Sequence, residues 1–226
     1  VTSETPQTAP TMPAMPRALF VYLLLYGGMA VLAGVLAFKQ FALGTSGLAV
    51  ESGILCFLLL VAISSTIAQL YGEGLANRLV LWGFVPLAVS IALIGLVLNL
   101  PPSPDMPAAN IAAFGTVLSQ TPRIMAAGPA AYLVSLLLNV WLFSRLRGKG
   151  DKQSGGMGMV VRGAIASAMS QAVDSLIFIT LAFYGEFPIR DLLIGQIIAK
   201  VTLSIVLVPL LIAGFVALAR KLDRAA

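Results

Sequence analysis

Residues 170–185, SQAVDSLIFITLAFYG, decide how the chain is read. The stretch is apolar enough to be the second half of a membrane-crossing helix, yet it sets Gln171 and Asp174 among Leu, Ile and Phe. At about 100° per residue, Ser170, Gln171, Asp174 and Phe178 fall in one sector of such a helix, while Leu176, Ile177 and Ile179 lie elsewhere. The helix therefore carries a single polar stripe. A carboxylate at mid-membrane costs about 2.5–3.5 kcal/mol on insertion scales, so it must face protein or a wet cavity and be paired.

Depth alone supplies a partner. The next apolar stretch holds Lys200, with Gln196 one turn away on the same face. At about 1.5 Å per residue, Asp174 and Lys200 both lie about 14–15 Å below the outer ends of their spans. An ion pair there has two readings. It can fix helix register, or it can mark a substrate path. Apolar packing would serve the first purpose as well, because desolvation offsets much of the Coulomb gain of a buried pair. Intramembrane charges mark substrate or ion paths by default, which favours the second.

The remainder of the chain agrees with a membrane setting. Of its 226 residues, 59% are hydrophobic and 10% charged, and the mean hydropathy of +0.97 lies far above that of soluble domains. With no histidine and only one cysteine, Cys56, the chain offers neither Cys/His metal sites nor histidine acid–base chemistry, and no metal or cofactor is expected. No cluster of acid, base and nucleophile stands near one interface, so an enzyme is not expected. The net charge of +5 comes without a basic patch interleaved with aromatics, which argues against nucleic acid.

Residues 1–16 contain four prolines and no apolar periodicity and read as a disordered tail. Residues 17–226 read as one transmembrane domain. Six apolar stretches follow the tail, at about 18–38, 53–71, 79–99, 122–144, 160–184 and 191–219. Lipid offers no hydrogen-bond partners, so spans of this length must be helical. The expected fold is an all-α bundle of six transmembrane helices. Of the 14 Lys and Arg residues, only Lys39, Arg123 and Arg190 fall on one side, Lys200 lies within a span, and ten fall on the other side with both termini. The positive-inside rule then places both termini in the cytoplasm. The glycine-rich, basic linker 145–159 lacks the Gly-Lys-Ser/Thr ending of a phosphate loop and reads as a flexible connector.

Further polar residues within the spans complete the candidate site. Ser65 and Gln69 stand one turn apart in span two, and Asn139 follows Tyr132 and Ser135 in span four. Each equally suits a hydrogen bond between helices. Phe178, on the polar stripe, suits stacking on a planar ligand. Thr121 and Pro122 read as the N-cap and first residue of span four. Arg123 would then sit at the positive end of that helix, either snorkelling to headgroups or standing at a substrate entrance.

Four segments, YGEGLANRLVLWGF (71–84), QTPRIMAAGPAAYLVS (120–135), SQAVDSLIFITLAFYG and GQIIAKVTLSIVLVP (195–209), resemble in order and spacing the queuosine-precursor transporters, also called the vitamin-uptake-transporter family. The resemblance runs from about residue 35 to 215. It implies a six-helix importer of the bacterial inner membrane for 7-cyano-7-deazaguanine or 7-aminomethyl-7-deazaguanine. It carries over Ser170, Gln171, Asp174, Gln196 and Lys200 as pocket positions, with Arg123 at the mouth. The chain departs from the family where Ser65 and Gln69 replace an aspartate and a glutamate, where Leu136 and Asn139 replace Gln and Asp, and where Gly34 replaces an asparagine. Several acidic positions are thus neutral. The chemistry of the ligand agrees independently. A deazaguanine presents adjacent N–H donors beside a carbonyl, which suits a fixed carboxylate together with a Lys or Gln donor. Besides such a heterocycle and membrane lipid, the sequence leaves open a homo-oligomer and a separate ATPase. The alternative functions are the substrate-binding subunit of a multicomponent vitamin-type importer and a membrane scaffold.

Overall fold

The computed structural model describes residues 15–146 and 157–224. Residues 1–14 of the expected tail and 147–156 of the glycine-rich linker lie outside them. Among these residues seven helices make up the bundle: α1 (Arg17–Leu36), α2 (Ile54–Tyr71), α3 (Glu73–Trp82), α4 (Phe84–Leu98), α5 (Ala108–Leu146), α6 (Met157–Phe183) and α7 (Arg190–Arg224). Between α1 and α2 lies a small antiparallel hairpin, β1 (Gln40–Ala42) and β2 (Ala49–Glu51), with Gln40 opposite Glu51 and Ala42 opposite Ala49. The helical expectation contained no strand.

Among the described residues, four stretches are long and apolar enough to cross a membrane: Arg17–Leu36, Ile54–Tyr71, Glu73–Leu98 and Arg190–Arg224. Their outward faces carry exposed Leu24, Leu93, Leu96, Val206 and Leu210, a pattern that water would punish and lipid accepts. Buried side chains gather in two main clusters. One centres on Tyr22, Tyr26, Ile63, Ile67 and Leu79, the other on Ile124, Ile179, Phe183 and Leu192.

Two boundaries differ from those expected. Span three begins earlier, because Gly72, at φ 94°, ends α2 and Glu73 opens α3 with an acid in its first turn, where the helix dipole favours it. Between α3 and α4 stands Gly83, where an added Cβ would lie 2.5 Å from the Tyr26 ring. The second difference corrects the expected start of span four. Thr121 is not an N-cap, and Pro122 is not a first helical residue. Helix α5 begins at Ala108 and runs through both Pro122 and Pro129. The Thr121 hydroxyl donates back to the Val117 carbonyl at 3.0 Å, one turn earlier on the same helix.

The first and last helices are tied together. The first turn of α1 has no acid of its own. Asp223, near the end of α7, accepts a hydrogen bond from the Ala18 amide and another from the Tyr71 hydroxyl, each at 3.0 Å. The start of α1, the end of α2 and the end of α7 therefore share one end of the bundle. At the opposite end the hairpin is seated on α7 at Gly195, where a Cβ would fall 2.0 Å from the Ala49 carbonyl oxygen. Only glycine permits that approach.

Candidate functional site

The hairpin and helices enclose a cavity of about 180 Å³. A hollow of about 150 Å³ is enough to hold benzene, so this one has room for a small planar ring system. Its wall is largely apolar and aromatic, with Tyr26, Phe57, Phe84, Tyr132 and Phe178 among the described lining residues. Among the described residues, the charged lining groups are Glu51, Asp174 and Lys200. A mostly apolar wall with a few convergent polar groups is the usual form of a small-molecule site.

Asp174 and Lys200 meet there. Lys200 Nζ lies 2.6 Å from Asp174 Oδ2, and the Ser135 hydroxyl donates to Asp174 Oδ1 at 3.2 Å. The ammonium also stands 4.5 Å from the Phe57 ring centroid and 5.6 Å from that of Phe178, within cation–π range. Both charged residues are buried. The Ser135 hydroxyl is shared between Asp174 Oδ1 and the Tyr132 carbonyl, the latter at 3.0 Å, and the Lys200 charge is shared between a carboxylate and two aromatic faces.

The other sequence candidates are distributed around this centre. Phe178 lines the cavity. Gln196 is fully buried and turns to the hairpin, donating from Nε2 to Glu51 Oε1 at 2.6 Å and accepting the Glu51 amide at 3.3 Å. Gln171 takes a hydrogen bond from Ser204 Oγ at 2.9 Å, which ties α6 to α7. Ser170 is buried on α6 beside it. Ser65 is half-buried, Gln69 is exposed, and neither lines the cavity; their neighbour Ser64 does. The side chain of Asn139 lies outside the described residues.

Arg123 is placed away from the cavity. Because α5 begins at Ala108, Arg123 is not at the positive end of its own helix. It acts instead on the negative end of α6, donating to the Leu181 and Tyr184 carbonyls at 2.7 Å each and pairing with Glu186 at 3.2 Å. A cation at a helix C-terminus satisfies orphan carbonyls and complements the dipole. Arg123→Met is expected to lower stability by about 1–2 kcal/mol with little change in ligand affinity. Thermal unfolding and ligand titration of the purified variant measure the two effects separately.

Sequence reasoning passed over Glu51. It stands in AVESGIL (49–55), at the end of a three-residue strand, where no helical periodicity signals burial. The only signal was an acid among apolar neighbours immediately before a span. Glu51 is 3% exposed, on the hairpin outside the spanning helices. Burial is the main effect on its carboxyl, opposed by Lys200 and by hydrogen bonding from Gln196, and pushes it up to about 7.

Fold and cavity together define a helical membrane protein with a solute-sized, largely apolar cavity that holds a buried charge pair. The family described as "Putative vitamin uptake transporter" matches residues 51–214, and the chain belongs to that family. No curated protein and no solved structure matches the chain.

Proposed function

We propose that the chain is a six-span importer of the bacterial inner membrane that carries a queuosine precursor, 7-cyano-7-deazaguanine or 7-aminomethyl-7-deazaguanine, and is not an enzyme. The observation that carries this reading is the buried Asp174–Lys200 pair on the wall of an aromatic-lined cavity. An internal charge pair is a costly way to hold two helices together and a useful way to recognise a flat polar ligand. In the proposed complex the heterocycle stacks on Phe178, Lys200 donates to its ring carbonyl, and Asp174 holds the ammonium in position. The union of the start of α1, the end of α2 and the end of α7 at one end of the bundle favours an even number of crossings. The bias of Lys and Arg then puts that end in the cytoplasm.

Complementation tests the reading. A strain that cannot make deazaguanines and lacks its own importer should form queuosine from the supplied precursor when it expresses this chain. No queuosine in transfer RNA, despite the chain being present in the membrane, would count against it.

A further inference from the structure

The Asp174–Lys200 pair leaves one acid of the cavity wall incompletely matched. Glu51 clasps Gln196 through its amide and through Oε1, but its second oxygen, Oε2, is buried without a hydrogen bond. The Gly53 and Ile54 amides at the start of α2 favour its charged form, but no hydrogen bond to them is completed. Buried polar atoms are almost always satisfied, and one that is not points to a group supplied from elsewhere. The charges agree. Among the described residues the charged lining groups are two carboxylates and one ammonium, and that ammonium is paired with Asp174.

We propose that the Glu51 carboxylate is the ligand-reading acceptor of the cavity, taking hydrogen bonds from the N–H edge of the bound heterocycle, with Gln196 as its positioning residue. This rests on the deazaguanine reading above and specifies how that ligand is held. A guanine-type ring presents its ring N–H and exocyclic amino group side by side, and a single carboxylate can accept from both. A ring without the amino group leaves the buried oxygen unmatched, which is expected to cost on the order of 10- to 100-fold in affinity.

A proton competes with the ligand for the same oxygen. The ionisable groups near Glu51 or sharing its cavity are Lys200 of α7, Asp174 of α6, Tyr132 of α5, Cys56 of α2 and Tyr26 of α1. With the Glu51 carboxyl titrating at about 7, the accepting carboxylate predominates above that pH and the protonated form below it. Ligand affinity should therefore be full at mildly alkaline pH and fall as the pH drops through neutrality.

The test is equilibrium binding to the purified full chain, using 7-cyano-7-deazaguanine and its analogue lacking the exocyclic amine. The wild-type protein should prefer the amino compound by on the order of 10- to 100-fold and bind it more tightly above neutral pH than below. Glu51→Gln preserves an acceptor for Gln196 and removes the carboxylate, so it should bind both compounds alike, with the pH dependence gone. A folded Glu51→Gln protein that retains preference and pH dependence would reduce Glu51 to an anchor of the hairpin, leaving the deazaguanine reading intact. If that variant does not fold, the two compounds on the wild-type protein decide, and equal affinity overturns the proposal. Failure of both compounds to bind folded wild-type protein overturns the deazaguanine reading and this inference with it.

Discussion

Asp174→Asn is expected to reduce uptake of the deazaguanine precursor by on the order of 100-fold or more, while the protein still reaches the membrane at close to wild-type amounts. The substitution keeps shape and an acceptor for Ser135 but removes the charge 2.6 Å from Lys200. Lys200 then loses the group that aims it at the ligand. The fold should survive because Lys200 also lies in the field of Glu51, which continues to compensate part of its charge. Uptake of labelled precursor, normalised to the amount of inserted protein, measures the effect. Normal uptake by the variant would take Asp174 out of the site.

The second large effect is on stability, and it is unequal between the two partners. Lys200→Met leaves Asp174 and Glu51 on the same cavity wall with no cation among its described lining residues. Stranding a buried charge in this way costs about 3–5 kcal/mol. Adding Asp174→Asn removes one of the two stranded acids, so the double variant should regain about 1–3 kcal/mol relative to Lys200→Met alone. The order of stability should be wild type, then Asp174→Asn, then the double variant, with Lys200→Met lowest. Thermal unfolding of the four proteins in detergent measures it. Equal losses in Lys200→Met and the double variant would mean that the two side chains do not act as a pair.

The sequence conveyed the spans and the charge pair more readily than the surroundings of the pair. Long apolar runs are legible because the bilayer forces every backbone group into a helix. Asp174 and Lys200 were legible because depth in a helix can be counted from its end. Three features escaped for physical reasons. The hairpin strands are three residues each, too short for an alternating pattern, so the hairpin and Glu51 went unseen. The run of α5 through Pro122 escaped because proline is favoured at the first position of a helix, whereas membrane helices also tolerate it inside, as α5 does. The third is the phase of α2, where Ser64 lines the cavity and Ser65 and Gln69 do not. Adjacent residues differ by about 100° around a helix, and only the packing of α2 against its neighbours sets which of them meets the cavity.

Arg123 shows the same limit from another side. From the sequence it reads as snorkelling to headgroups or standing at a substrate entrance. Its partners, the carbonyls of Leu181 and Tyr184 and the carboxylate of Glu186, belong to the end of another helix, and no local pattern links them. Gln196 is similar. It was placed on the Lys200 face, and it does stand one turn from Lys200, but its amide is spent on Glu51 of the hairpin.

Transport by this chain alone, reconstituted in proteoliposomes and supplied with labelled deazaguanine precursor, tests the account most directly. Saturable uptake in wild-type vesicles, lost with Asp174→Asn in protein that remains folded, is the predicted result. Vesicles that take up no precursor, or that take it up equally well with Asp174→Asn, would contradict it.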